Sequence, residues 1–197
     1  MGAAVNDGFS QRTGEMKRRV VFLDRDGTIN EDVGYLSDPA GLVLIPGAAM
    51  AVRLLNEAGV MVVVVSNQSG VGRGYYTDTD VEAVNQRLIL LLGESGASVD
   101  ALYWCNHHPD EGCDCRKPGP GLVAKAVEEL SVDVTGSYVV GDKVSDVELA
   151  GNIGAKGILV LTGKGAREVE KLSTPAAFVA RDLREAVDWI IDEMKKA

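Results

Sequence analysis

The apolar run Val20-Val21-Phe22-Leu23 ends abruptly in Asp24-Arg25-Asp26-Gly27-Thr28. Unbroken β-branched and aromatic residues, without polar alternation, suit a strand covered on both faces, as strands of a parallel sheet are. The glycine after the second aspartate ends the strand. In an extended chain, residues two apart face the same side, so Asp24 and Asp26 are expected to reach one small volume. Asp-Gly is also a common turn pair, so these residues alone fit a plain turn equally well.

Similar runs recur along the chain. Strands are expected over 19–24, 60–66, 101–105, 137–141, 157–161 and 177–180. Amphipathic helical stretches fall between them, over 47–58, 79–95, 120–131, 145–153, 165–172 and 182–196. Gly59 suits the end of the first helix, and Gly93 or Gly96 the end of the second. This alternation implies an α/β fold with a doubly wound, mainly parallel, Rossmann-like sheet. A single domain is expected over 19–197, and residues 1–18, rich in small and polar types, read as a flexible tail.

Bulk composition narrows the classes. The 197 residues carry a net charge of −9, with 46% hydrophobic and 25% charged residues. That balance suits a soluble globular chain and argues against a general binder of nucleic acid or acidic membrane. No apolar run is long enough to span a bilayer, and the four apolar residues after Lys17-Arg18-Arg19 are too few for a secretory leader. A cytoplasmic location is expected, and a monomer is the default. Gly70-Val71-Gly72-Arg73-Gly74 lacks dinucleotide spacing, and Gly163-Lys164-Gly165 is no P-loop.

In a doubly wound sheet, ligands gather at the carboxyl ends of the strands. The chemically capable residues of this chain fall there. Asp24 and Asp26 follow the first strand, Ser66-Asn67-Gln68-Ser69 the second, a Cys/His cluster the third, and Asp142-Lys143 the fourth. A hard cation such as Mg2+ takes oxygen ligands, and Asp24, Asp142 and the main-chain oxygen of Asp26 would suit it. Asp146 lies one helical turn beyond Asp142 and either joins the same face or is an exposed first-turn acid. Ser66 and nearby backbone N–H groups could grip phosphate oxygens. Arg116-Lys117-Pro118 brings positive charge before the fourth helix, where Lys117 could neutralise a carboxylate and a phosphate together.

All three cysteines and one of the two histidines fall in Cys105-x-His107-x₅-Cys113-x-Cys115. Cys₃His is a closed tetrahedral zinc set that leaves no open coordination position. The expected role is therefore a structural Zn2+ stapling the loop 105–115, with His108 as a spare loop residue. A redox CxxC is absent.

The segments Asp24-Arg25-Asp26-Gly27-Thr28, Ser66-Asn67-Gln68, Lys117 and Gly141-Asp142-Lys143 resemble, in order, the four motifs of the haloacid dehalogenase-like phosphatases. Within that superfamily, Phe22 through Asn30, Ser66 through Gly70 and Cys113 through Pro118 are similar to the heptose-1,7-bisphosphate 7-phosphatase family. The related histidinol phosphatases share the zinc loop and the aspartates. The likeness spans about residues 19–190. It implies a phosphatase with a minimal cap, hydrolysing a small phosphorylated sugar with Mg2+. By the resemblance Asp24 is the nucleophile and Asp26 the acid/base, with Asp24, Asp26 and Asp142 holding the metal. Ser66 and Lys117 hold the phosphoryl group. Asp32, Val33, Gly34 and Tyr35 contact the sugar, with Asn67, Gln68 and Ser69 beside the phosphate. Arg116 recognises the far end of the substrate, and Lys143 sits beside it. Histidinol phosphate or another small sugar phosphate is the alternative substrate, and a silent sugar-phosphate-binding module the alternative outside enzymes.

Overall fold

The computed structural model describes residues 19–196; the stretch 1–18, read above as a tail, lies outside them. Six strands form one sheet: β1 (Arg19–Leu23), β2 (Met61–Asn67), β3 (Ala101–Cys105), β4 (Asp133–Gly141), β5 (Lys156–Val160) and β6 (Phe178–Ala180). Their order is β3-β2-β1-β4-β5-β6 and every pairing is parallel. The helices are α1 (Ala48–Glu57), α2 (Ser69–Gly72), α3 (Asp78–Glu94), α4 (Gly121–Leu130), α5 (Val144–Ile153), α6 (Gly165–Glu168) and α7 (Leu183–Lys196).

The unbroken apolar strands are explained by burial on both sides. Val21 and Leu23 of β1 join Val62 and Val64 of β2 on the face covered by α1, α3 and α7. Val20 and Phe22 join Met61, Val63 and Val65 on the face covered by α4 and α5. The four apolar residues of β1 are fully buried.

The expected elements are present with small shifts. Gly59 and Gly96 follow the ends of α1 and α3 with positive φ, the usual helix-ending geometry. Helix 165–172 divides into α6 and a 3₁₀ turn at Val169–Lys171. Strand β4 starts at Asp133 rather than 137, with a register irregularity against β1. The single helical turn α2 is not among the expected elements, because four residues carry too little periodicity to show.

Connections run outward from β1 through β2 to β3, then return to β4 on the other side of β1. The winding reverses between β1 and β4, where adjacent loops diverge and leave a crevice. Asp24 follows β1 and Asp142 follows β4, so both acids stand at that crevice. Leu55 anchors α1 in the core with no exposed surface. Leu55→Ala is expected to cost about 2–5 kcal/mol of stability, read by urea unfolding, with the cleft chemistry retained.

Candidate active site

Residues from five strand ends line a cleft of about 340 Å³. A buried ammonium stands at its head, that of Lys117, just ahead of α4. The ammonium nitrogen lies 2.8 Å from Asp24 Oδ1 and 2.7 Å from Asp146 Oδ1, and donates to the Val65 carbonyl at 2.7 Å. Its backbone is fixed as well. Asn67 Nδ2 donates to the Lys117 carbonyl at 3.1 Å, and Lys117 N–H donates to Asn67 Oδ1 at 3.0 Å. Burial works against the charge on Lys117, but Asp146 and Asp24 outweigh it and raise its pKa.

Asp24 is 2% exposed. Burial alone would raise its pKa, but the ammonium groups of Lys117 and Lys143 hold it well below the usual carboxylate range. It is therefore ionised at neutral pH. Lys143 Nζ sits 3.2 Å from Asp24 Oδ2, 3.2 Å from Asp142 Oδ1 and 3.5 Å from the Asp26 carbonyl oxygen. Oxygens from two chain segments, after β1 and after β4, thus converge on one cation.

Asp142 is locked from behind. The Lys164 N–H donates to its Oδ2 at 2.8 Å. Gly27, at φ +90°, presses so closely that any side chain there would collide with the Asp142 carboxylate. Burial first, then the neighbouring Asp24 charge, push the Asp142 carboxyl up to about 6 despite Lys143.

Asp24, Asp142 and Asp146 present carboxylate oxygens within 4.8 Å of one another. All three are buried, and Asp142 Oδ1 and Asp146 Oδ1 face only the Lys143 and Lys117 ammonium groups. Closely grouped carboxylate oxygens that face positive charge fit a hard divalent cation. Asp146 is not the exposed acid that its first-turn position allowed. It is fully buried and paired to Lys117. Its signal was the i, i+4 spacing from Asp142.

Asp26 lines the same cleft as Asp24 but belongs to a different set of contacts. The chain leaves the strand at Asp24 and turns back, with Ile29 and Asn30 N–H donating to the Arg25 carbonyl. Arg25 Nε and Nη2 donate to the two Asp26 oxygens at 3.2 and 2.9 Å. Asn30 Nδ2 donates to Oδ1 at 2.9 Å and Gln68 Nε2 to Oδ2 at 2.8 Å. So its main-chain oxygen, not its carboxylate, faces the metal-like cluster. Arg25, missed in sequence, is 1% exposed and braced by Asn85 on α3 at 2.9 Å. An arginine set between the two aspartates at the end of β1 was the available signal.

Asn67 and Gln68, expected against the phosphate, reach the cleft with their amides committed to protein partners. Asn67 holds Lys117, and Gln68 holds Asp26 and Ser66 Oγ, the latter at 2.8 Å. Ser66 closes β2 beneath them and is 4% exposed. Ser69, Arg116 and Lys143 also line the cleft, as do Asp32, Gly34 and Tyr35 on the loop after β1. Val33 instead turns outward and is 61% exposed. Asp32 pairs with Lys164 at 2.8 Å, a partner the sequence did not suggest.

The Cys/His cluster forms a cage beside this cleft. Cys115 Sγ lies 3.1 Å from Cys105 Sγ, 3.1 Å from His107 Nδ1 and 3.5 Å from Cys113 Sγ. Cys105 Sγ lies 3.5 Å from Cys113 Sγ and 3.6 Å from His107 Nδ1. Donors around a tetrahedral zinc, with Zn–S near 2.3 Å, stand about 3.8 Å apart, so the cage fits with slight expansion. Asp78 of α3 ties the loop down, accepting from Trp104 Nε1 at 2.8 Å and Asn106 Nδ2 at 2.9 Å.

A parallel sheet with an aspartate at each side of its winding reversal, and a buried lysine between carboxylates, defines a haloacid dehalogenase-like hydrolase. The family model described as HAD-hydrolase-like matches residues 114–186. The chain is 42% identical over 166 residues to the D-glycero-beta-D-manno-heptose-1,7-bisphosphate 7-phosphatase of Pseudomonas putida, covering 84% of this chain and 95% of that one. Its Escherichia coli counterpart is 38% identical over 183 residues, 88% of each chain. Among solved structures, the D,D-heptose 1,7-bisphosphate phosphatase of B. bronchiseptica, complexed with magnesium and phosphate, superposes with a TM-score of 0.84 at 33% identity. That match covers 89% of this chain and 99% of the other. The chain belongs to the heptose-1,7-bisphosphate 7-phosphatase family and is a phosphoric monoester hydrolase.

The raised Asp142 pKa has a consequence for cation binding. A carboxyl with folded pKa near 6, against an ordinary 3.8, destabilises the metal-free fold progressively as pH rises from 3.8 to about 6, because the unfolded chain ionises first. A cation held by Asp142 would need the ionised form, so protons would compete with it. Mg2+ affinity, followed by thermal shift against metal concentration, is expected to weaken by up to about tenfold per pH unit below 6. A flat affinity from pH 5 to 7.5 would contradict this.

Proposed function

We propose that this chain removes the 7-phosphate of D-glycero-D-manno-heptose 1,7-bisphosphate through an aspartyl-phosphate on Asp24, supplying precursors of ADP- or GDP-heptose. The observation that carries the reading is the buried, ionised Asp24, held by Lys117 at the head of the cleft. A carboxylate attacking phosphorus in line splits one hard displacement into two. Lys117 and Ser66 stabilise the negative phosphoryl oxygens, and preorganised charge of this kind costs no rearrangement during reaction. Asp26 gives a proton to the departing sugar oxygen, then takes one from the water that attacks the acyl phosphate.

Mg2+ would be held by Asp24, Asp142, Asp146 and the Asp26 carbonyl, and supplies charge neutralisation at the transferred phosphoryl group. Asp32, Gly34 and Tyr35 contact the sugar, while Arg116 and Lys143 meet its more distant charge. Zn2+ held by Cys105, His107, Cys113 and Cys115 is structural, because four protein donors leave no open position. It orders a loop that ends next to Arg116 and Lys117.

Three experiments test these assignments. Asp24→Asn should fold and retain less than about one thousandth of wild-type turnover. In a kinetic panel, kcat/KM for the heptose bisphosphate should exceed that for histidinol phosphate and simple hexose phosphates by at least about a hundredfold. Preference for histidinol phosphate would overturn the substrate assignment. For the zinc loop, one equivalent of Zn2+ is expected per chain, and stripping it should lower Tm by more than about 5 °C. An unchanged Tm and activity in metal-stripped protein would refute the structural role.

A further inference from the structure

We infer that Tyr76 is a positioning residue for Asp26, acting through the side-chain amide of Gln68. The inference rests on the reading of Asp26 as the acid/base. Three side chains form one line that runs from the buried Tyr76 to the cleft. Tyr76 Oη donates to Gln68 Oε1 at 2.9 Å, and Gln68 Nε2 donates to Asp26 Oδ2 at 2.8 Å. Gln68 is 2% exposed, so its amide has no solvent to turn to.

A glutamine amide has one donating end and one accepting end of nearly equal size. The donating end must face Asp26, because the other end would set oxygen against oxygen. Tyr76 gives the accepting end its partner and so holds the amide in the useful orientation. The phenol, pushed up by burial first and then by Asp26, against Arg25, keeps the proton it donates. Arg25, Asp26 and Tyr35 are the titratable groups that influence it.

The ring itself cannot drift. Gly70 lies flat against it, and any side chain at position 70 would overlap the Tyr76 ring. Arg25, itself anchored on Asn85, donates to both Asp26 oxygens, and Asn30 donates to Oδ1. Of the contacts that hold the carboxylate, only the one from Gln68 runs through Tyr76.

Tyr76→Phe keeps the ring and removes the hydroxyl. Gln68 Oε1 then loses its partner in a buried place, and the amide relaxes away from Asp26. In the phosphoryl-transfer step, which kcat/KM reports, a misplaced acid should matter only when the leaving group needs a proton. A sugar alkoxide does, while 4-nitrophenolate departs as the anion. The test measures kcat/KM for heptose 1,7-bisphosphate and for 4-nitrophenyl phosphate in wild type, Tyr76→Phe and Asp26→Asn. Tyr76→Phe is expected to lose about tenfold on the sugar phosphate and less than about twofold on the nitrophenyl ester, mostly in kcat. Asp26→Asn should show the same asymmetry, larger. Gln68→Met, which keeps length and removes both amide ends, should show the same asymmetry on top of an equal loss on both esters, because Gln68 Nε2 also donates to Ser66 Oγ, and provides a second lesion should Tyr76→Phe fail to fold. Equal losses on both esters in Tyr76→Phe, or no loss, would overturn the inference while an asymmetric Asp26→Asn leaves the acid/base reading standing. A symmetric Asp26→Asn would overturn both.

Discussion

The ammonium of Lys117, buried between Asp24 and Asp146, is the contact on which the site depends. An isolated charge in this environment would be strongly unfavourable, and so would either carboxylate without it. The three groups are stable there only together, with the Val65 carbonyl completing the ammonium's hydrogen bonds. One charged group therefore joins the end of β1, the end of β2, the start of α5 and the segment ahead of α4. Net stability from such a cluster is small. Its value lies in holding Asp24 ionised and oriented at the same time.

Around that centre, the protein separates two aspartates that lie only two residues apart. Asp24 faces cations and is kept charged by them. Asp26 faces four side-chain hydrogen bonds from Arg25, Asn30 and Gln68, and is held by geometry. The turn that begins after Asp24 produces this division. It swings the Asp26 carboxylate away from the metal-like oxygens and leaves only its carbonyl among them. Two chemically identical side chains thereby acquire distinct neighbourhoods, which is what a displacement needing both a nucleophile and a proton carrier requires.

The supporting polar residues explain the rest of the arrangement. Asn67 and Gln68 read in sequence as groups for a ligand, since polar residues at a strand end commonly meet one. Their amides are instead satisfied by Lys117, Asp26, Ser66 and Tyr76. The zinc-type cage is a similar case of support. It closes a polar loop with little core of its own, which Asp78 also fastens to α3.

The strands, the parallel sheet and the strand-end placement of Asp24, Ser66, Cys105 and Asp142 were legible in the chain alone. They follow from local apolar runs and a topology that collects strand ends on one rim. The cysteine and histidine spacing was equally local. Tertiary structure alone decided the pairings: Asp146 with Lys117, Arg25 with Asn85, Lys164 with Asp32, and Tyr76 with Gln68. In sequence, Asp146 was as compatible with solvent as with burial, and Val33 as compatible with the cleft as with the surface. Nothing local distinguishes those outcomes, because burial of a charge depends on whether a distant segment delivers its counter-charge. Periodicity records which face of an element is apolar; the partner of a polar group is set only when separate elements meet.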